Sequence, residues 1–585
     1  MKRYITALWM VMVAITAHAQ YYNELSQLEV RTQSSGTLLN RDIMSVADLG
    51  TFSMNTFTFG SARSMGLAGA MTSLGGDATS MLINPAGLGM ARSNDFTLTP
   101  VVVIQRAETT GGEPFMEDGE TNFTLSNFST TINLYEDGNS KLISLNLGLG
   151  YNRVADLNYD YSFVSRGNSS SIANLFSRQL TGYGVPLNDL YGNDNPDWSY
   201  MPTNLWGAAL GYKTGLTYQE YGEEPSGFNS GGEEITDYDS PIWSATWIAP
   251  DATVDQYMRL ESSGSIGEYD IALGANIDNK LYIGATFGVQ SLYQRLDLIY
   301  GEEYGNQGGV SGDNALNYTN YNQAIITRGG GVNFKVGATY RASRGIRVGV
   351  AYHSPTYYSL NREYQISMAS SSTLTNSDGS TETRYASADS PILEDSGDNV
   401  WRYRTASKVM IGASYTFGMR GLISVDYERD WYGSMKMRST PYGIDEAIYD
   451  EIENIYQGVN IIRVGAEYKI TPALAIRGGY GASSQMVQES ATSSMLLNTP
   501  TTNSLRYHSV GIGYSISKGF QLDLTYMSQT TKMSEYRLFY SDAAFSSVGD
   551  GAFDSEIPTA TSAQSGVFKS SIAQHSIALS FVMRM

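Results

Sequence analysis

From Lys141 to Asn152 the odd positions Ile143, Leu145, Leu147, Leu149 and Tyr151 are apolar, while Ser144, Asn146, Gly148, Gly150 and Asn152 between them are polar or small. A period of two puts one set on each face of a β-strand. The pattern returns at Tyr269, Ile271, Leu273, Ala275 and Ile277. After the short turn Asp278 to Lys280 it resumes at Leu281, Ile283, Ala285, Phe287 and Val289. Two such runs joined this tightly predict a hairpin. Four more hairpins share the design, with turns at Ala342 to Gly345, Gly418 to Gly421, Thr471 to Ala473 and Ser517 to Gly519, and a further turn is expected at Glu136 to Ser140. Between hairpins run long polar, Tyr- and Gly-rich connections: Ala155 to Gly264, Gly301 to Gly329, Ser367 to Asp398, Ser434 to Gln457, Ser484 to Ser504 and Ser541 to Ser570. Short turns on one side and long loops on the other are the pattern of a transmembrane antiparallel barrel.

A first strand near Asp95 to Arg106 and a last near Ile572 to Met585 bring the expected count to about fourteen, the even number that closure favours. The fold class is therefore all-β, with the outward set of side chains facing lipid and the inward set facing the lumen. The alternative, a soluble sandwich, would bury one face of each strand in a core and would need no export signal. Residues 20–94 do not alternate and read as a separate segment ahead of the barrel. The domain reading is 1–19, 20–94 and 95–585, with 155–264 the largest outer loop.

Composition sharpens this picture. Lys2 and Arg3 precede an apolar stretch from Ala7 to Ile15 and the small-residue site Ala17-His18-Ala19, so a secretory signal peptide cut before Gln20 is expected. No cysteine is present, which excludes disulfides, thiolate metal sites and an N-terminal lipid anchor on cysteine. The 60 Gly and 42 Tyr against 15 Pro suit many short, aromatic, glycine-dotted strands. The formal charge is −20, from 38 basic and 58 acidic residues. Removing Lys2 and Arg3 leaves 36 against 58, or −22, a poor match for nucleic acid. His353, His508 and His575 lie in separate strands without ligand spacing, so no metal and no cofactor is expected. Serine is so abundant that no pairing with a histidine and an orienting partner can be singled out, and the chain is expected to carry out no catalysis.

Ahead of the first strand come the small-residue run Gly60 to Ala70, then Gly76-Asp77-Ala78, then Asn84-Pro85-Ala86-Gly87-Leu88. With Arg347 to Pro355 and Thr471 to Tyr480, these stretches resemble the FadL/TodX family of outer-membrane transporters for long-chain fatty acids and aromatic hydrocarbons. The resemblance implies fourteen strands in the bacterial outer membrane and an N-terminal hatch. It also implies passive uptake of a hydrophobic small molecule, released sideways through a gap in the third strand. Outer-membrane lipids and the barrel-insertion machinery would be its partners. The alternative is a receptor or shuttle for surface or secreted proteins that uses the outer loops.

Several residues are candidates within that reading. Phe52, Met54, Phe57 and Phe59 could line an apolar ligand pocket or pack the hatch against the wall. Asp77, Asn84, Pro85 and Ala86 form the hatch motif, and Asn-Pro is turn chemistry. Gly148 and Gly150, two apart on the inward face of the third strand, are the expected lateral opening, since no bulge is visible there. Alternation assigns Arg347, Asp426, Glu428, Arg463, Glu467, Arg477 and Asp523 to the lumen, because charge facing hydrocarbon is costly. Arg347, Arg463 and Arg477 are candidate partners for a substrate carboxylate; the competing reading is a ladder of lumenal ion pairs that anchors the hatch.

Overall fold

The structure is a computed structural model. It describes residues 46–53, 59–113, 119–191, 196–199, 201, 205–219, 243–245, 253–305, 314–376, 378–393, 400–418, 420–439, 452–489, 502–537, 540–541, 563–564 and 567–585. The expected signal peptide, Met54 and Phe57 lie outside the described residues.

Fourteen wall strands follow one another in chain order. They are β1 (Asp95–Thr110), β2 (Gly119–Glu136), β3 (Leu142–Asp156, continued by Tyr159–Asn168), β4 (Thr253–Ile277) and β5 (Leu281–Gly305). Next come β6 (Asn314–Arg341), β7 (Ile346–His353, continued by Tyr357–Thr375), β8 (Val400–Arg404 and Lys408–Phe417) and β9 (Gly421–Asp430, continued by Lys436–Ser439). The last five are β10 (Val459–Lys469), β11 (Leu474–Ser483), β12 (Thr502–Ser515), β13 (Phe520–Arg537) and β14 (Val567–Arg584). All neighbouring pairs are antiparallel, and β14 pairs both β13 and β1, which closes the barrel and leaves no edge.

The alternation of the sequence is the alternation of the wall. Ser144, Asn146 and Gly148 are buried inward, whereas Ile143, Leu145, Leu147 and Leu149 point out. Around the barrel, Ile271, Phe287, Phe334, Val350, Ile411, Ile462, Val510 and Leu524 form an exposed apolar belt. Tyr340, Tyr415, Tyr468 and Tyr514 ring it on the short-turn side, and Tyr269, Tyr427, Tyr480 and Tyr526 on the other. An exposed apolar belt this continuous is stable only against hydrocarbon, with tyrosines at the two interfaces.

The wall does not end at the outer ring. β4, β5 and β6 run for 25, 25 and 28 residues, whereas about 9–11 cross a bilayer. Much of what reads as loop from Ala155 to Gly264, Gly301 to Gly329 and Ser367 to Asp398 is therefore wall, and those boundaries are corrected. The reason is inward burial: Met258, Leu260, Leu296, Leu298, Tyr300, Tyr321 and Tyr364 all face an apolar core. That core is completed by two helices from the largest outer segment, Ile172–Gly182 and Trp206–Lys213. They sit in the outer mouth as a cap.

At the other end, residues 59–94 fill the lumen. Here the wall is lined with glycine where the hatch backbone comes close. Strand register sets Gly274 opposite Gly284 and Gly284 opposite Gly337. A Cβ on these three would collide with Leu88, Pro85 and Asn84 respectively. Gly349 is held by Thr72 in the same way, and Gly465 and Gly479 by Leu67 and Ala68.

Replacing Gly284 with Val should therefore push the hatch off the wall and cost about 1–3 kcal/mol, the usual range for overpacking. Gly478→Val is the control, because a Cβ there meets nothing nearer than 3.8 Å and valine suits a strand. Heat-dependent gel mobility of the folded barrel, with protease sensitivity of residues 59–94, should distinguish the two variants. Equal behaviour would refute the close seating.

Candidate functional site

The hatch is tied together by the motif read from the sequence. Ser61 donates to both Asp77 carboxylate oxygens at 2.8 Å, and the Thr79 amide donates to Asp77 at 2.9 Å. Asn84 caps the short 3-10 turn Pro85–Met90 by accepting from the Ala86 amide at 3.1 Å, with Pro85 in the first turn. Its amide nitrogen donates to the Thr72 carbonyl at 2.6 Å and to the Thr339 hydroxyl of the wall at 3.3 Å. These four residues are thus structural pins.

Wall side chains satisfy the hatch backbone in turn. Ser580 and Thr525 bracket Ala62, accepting from its amide at 2.7 Å and donating to its carbonyl at 2.6 Å. Thr286 donates to Met81 at 3.0 Å, Asn146 to Leu88 at 2.7 Å, and His353 contacts the Ile83 carbonyl at 2.8 Å. Asp426 accepts from the Thr72 amide at 2.7 Å.

Charge on the lumenal face is paired across strands. Arg477 donates to Glu467 at 2.7 Å and to Asp523 at 2.6 Å, and Arg63 of the hatch reaches Glu467 at 3.1 Å. Arg463 donates to Glu428 at 2.6 Å and to the Tyr507 hydroxyl at 2.9 Å. Arg463 and Arg477 are accordingly committed to the ladder and the hatch. Arg347 faces inward, half-buried, near Arg63, Arg92 and Arg341, and no carboxylate pairs with it among the described residues.

Above the hatch lies a cavity lined by residues from the hatch and eight wall strands, including Phe59, Lys335, Lys408, Glu268 and Asp430. Lys335 binds Glu268 and lies 3.0 Å from Asp270. Asn333 and Gln290 each donate to Glu268 at 2.6 Å. Lys335, Glu268 and Asn333 were not singled out from the sequence, although the alternation that assigned Asp426 and Glu428 to the lumen applies to them equally. Phe59 borders the cavity beneath the Arg153 guanidinium, 5.8 Å from the ring centre.

Beside the cavity is a packed apolar cluster. Helix Val46–Ser53 buries Leu49 and Phe52 in it with Val154, Leu292, Tyr358, Trp401, Tyr403 and Met435. Arg362 clamps that helix from the wall through Asp48 at 3.1 Å, both side chains being almost fully buried. Of the four expected pocket residues, Phe52 lies in this cluster and Phe59 at the cavity.

The third strand differs from expectation in one respect. Gly148 and Gly150 sit in continuous ladders with β2 and β4, and the space a side chain would need is taken by Met81 and Leu88 of the hatch. The irregularity lies elsewhere. Register shifts between Leu142 and Ser144 and again between Arg153 and Ala155, so the strand carries a bulge that the sequence did not reveal. Val154, inside the second shift, lines the cavity.

The outer cap is anchored by one carboxylate beyond the apolar belt. Glu302 accepts from the Ser171 hydroxyl at 2.5 Å, the Ile172 amide at 2.8 Å, Tyr300 at 2.5 Å and Tyr304 at 2.7 Å. Burial pushes its carboxyl above the ordinary range, against the four donors that favour its charge. The remaining histidines do not converge: His353 is buried at the hatch, while His508 and His575 are on outward strand faces.

Removing Arg477 should leave Glu467 and Asp523 buried without their shared partner, so Arg477→Met is expected to cost about 3–5 kcal/mol. Arg347→Met, which breaks no ion pair among the described residues, should cost less than about 1 kcal/mol. Thermal unfolding of the purified barrel checks the contrast, and a milder effect at Arg477 than at Arg347 would contradict the ladder.

No family model matches the chain, and no curated protein does. Among solved structures it is similar to the toluene transporter TodX of P. putida, at 14% identity and a TM-score of 0.43, over 90% of this chain and 98% of that one. It is also similar to the toluene transporter TbuX of Ralstonia pickettii, at 14% identity and a TM-score of 0.42, over 91% of this chain and 100% of that one. A FadL homologue of Pseudomonas aeruginosa gives 10% identity and a TM-score of 0.47, over 90% and 98%. In its Gly-Asp-Ala and Asn-Pro-Ala-Gly hatch motifs and in its closed barrel of fourteen strands, the chain resembles the FadL/TodX family.

Proposed function

We propose that this chain is a bacterial outer-membrane channel for passive uptake of hydrophobic small molecules, fatty-acid-like or aromatic. The observation that carries the reading is the lumenal cavity with the aromatic and methionine-rich cluster around Phe52 beside it, inside a barrel whose outer face is an apolar belt. A water-filled pore offers a greasy solute no favourable contact. A solute burying about 200 Å² of apolar surface against such a cluster gains about 5 kcal/mol. Met435, Met437 and Met486 supply flexible, polarisable walls that can repack around different shapes. The names of the structurally similar transporters are in keeping with this reading.

The cavity and the apolar cluster lie between two closures, the hatch below and the capped mouth above. Transit therefore requires one of them to open, or a lateral exit through the wall. The third strand remains the proposed exit. Its register shift at Arg153 to Ala155, beside the cavity, is a better candidate for the opening than Gly148 and Gly150, which lie beneath the hatch. The alternative role as a protein receptor rests on the outer loops, most of whose residues lie outside the described ones, and no specific contact favours it.

Expression of the chain in a bacterial host lacking a hydrophobic-uptake channel should raise accumulation of labelled oleate or toluene several-fold over empty vector. Phe52→Asp should abolish most of the gain while the barrel remains folded. Accumulation no greater than in the vector control, with the barrel correctly inserted, would exclude the proposed function.

A further inference from the structure

The cavity above the hatch has a hydrogen-bonding inventory that does not balance. Asn333 uses its amide nitrogen on Glu268 and on Thr356 at 3.2 Å, yet its Oδ1 has no partner among the described residues. Asp430 accepts from Tyr432 at 3.2 Å through one oxygen, and its carboxyl also faces that of Glu428, so it leaves no acceptor spare. His353 faces the Ile83 carbonyl with Nε2. A carbonyl only accepts, so Nε2 carries the proton and Nδ1 of the neutral ring is left as an acceptor. All three residues line the same cavity.

Donors line it too. Lys335 is occupied by Glu268 and Asp270, and Arg463 by Glu428 and Tyr507. Arg153 pairs with Asp156 and leaves Nε without a partner among the described residues, and Lys408 touches a single carboxylate, Glu428 at 3.4 Å, and retains 17% side-chain exposure. Its ammonium has three donors.

A group that fits must donate to the spare acceptors and accept from Lys408. A hydrocarbon does neither. A carboxylate accepts only, and would add negative charge beside Glu268, Glu428 and Asp430. A hydroxyl does both and carries no charge. We propose that this cavity seats the hydroxyl group of the transported molecule, and that the channel favours alcohols or phenols with an apolar body over plain hydrocarbons and acids. The apolar body would pack against the adjoining apolar cluster around Phe52. This assignment rests on the hydrophobic-uptake reading above and narrows its substrate class.

Three fluorescent probes of one shape test it: 2-naphthol, 2-methylnaphthalene and 2-naphthoate, titrated into the full barrel in lipid nanodiscs against empty nanodiscs. The naphthol should bind about tenfold more tightly than either analogue, as expected when a site built for a hydroxyl meets a molecule lacking it. Lys408→Met, with folding confirmed by heat-dependent gel mobility, should bring the naphthol within about threefold of the methyl analogue and leave the latter unchanged. Equal binding of naphthol and methylnaphthalene to the unaltered protein, or tighter binding of the naphthoate, overturns the hydroxyl assignment while leaving hydrophobic uptake intact. Persistence of the preference in folded Lys408→Met overturns the placement in this cavity. Binding of none of the three would count against hydrophobic uptake itself, and so against the hydroxyl site with it.

Discussion

The structure depends on placing an irregular segment of backbone inside a closed barrel without leaving its polar groups unpaired. A helix satisfies its own amides; the hatch, built of short turns, cannot, and buried unpaired amides are costly. The wall supplies the missing partners through Ser580, Thr525, Thr286, Asn146, Asp426 and His353, each meeting a hatch backbone group. Those bonds require close approach, which Gly274, Gly284, Gly337 and Gly349 provide by having no side chain. Glycine on the inward face and short polar residues beside it are two parts of one solution.

That arrangement explains the division of the lumen. Below, hatch and wall interlock through hydrogen bonds and the Arg63, Glu467, Arg477 and Asp523 ion pairs. Above, where β3 to β7 rise past the hydrocarbon belt, the inward side chains turn apolar and the cap helices cover them. The space between inherits both characters, with lysines and carboxylates on one side and tyrosines and methionines on the other. A molecule with an apolar body and one uncharged polar group matches that division better than a molecule of either kind alone.

The barrel was legible in the sequence because its signal is local. Strand period, tight turns and the inward or outward direction of each residue are fixed within a few positions, so Ile143 to Leu149, the six turns and the fourteen-strand count could be read from the chain alone. Asn84 and Pro85 were legible as a turn for the same reason. What only the tertiary structure decided is how distant residues meet. Nothing near Arg463 or Arg477 in the chain shows that each is already held by carboxylates on other strands. The stretch around Tyr321 and those that follow Tyr300 and Tyr364 read as loop because the apolar partners of these tyrosines are helices some 90 to 190 residues away in the chain. The bulge at Val154 arises from pairing with β4, which no single strand can encode. Periodicity determines which way a side chain points; only closure of the barrel determines what it points at.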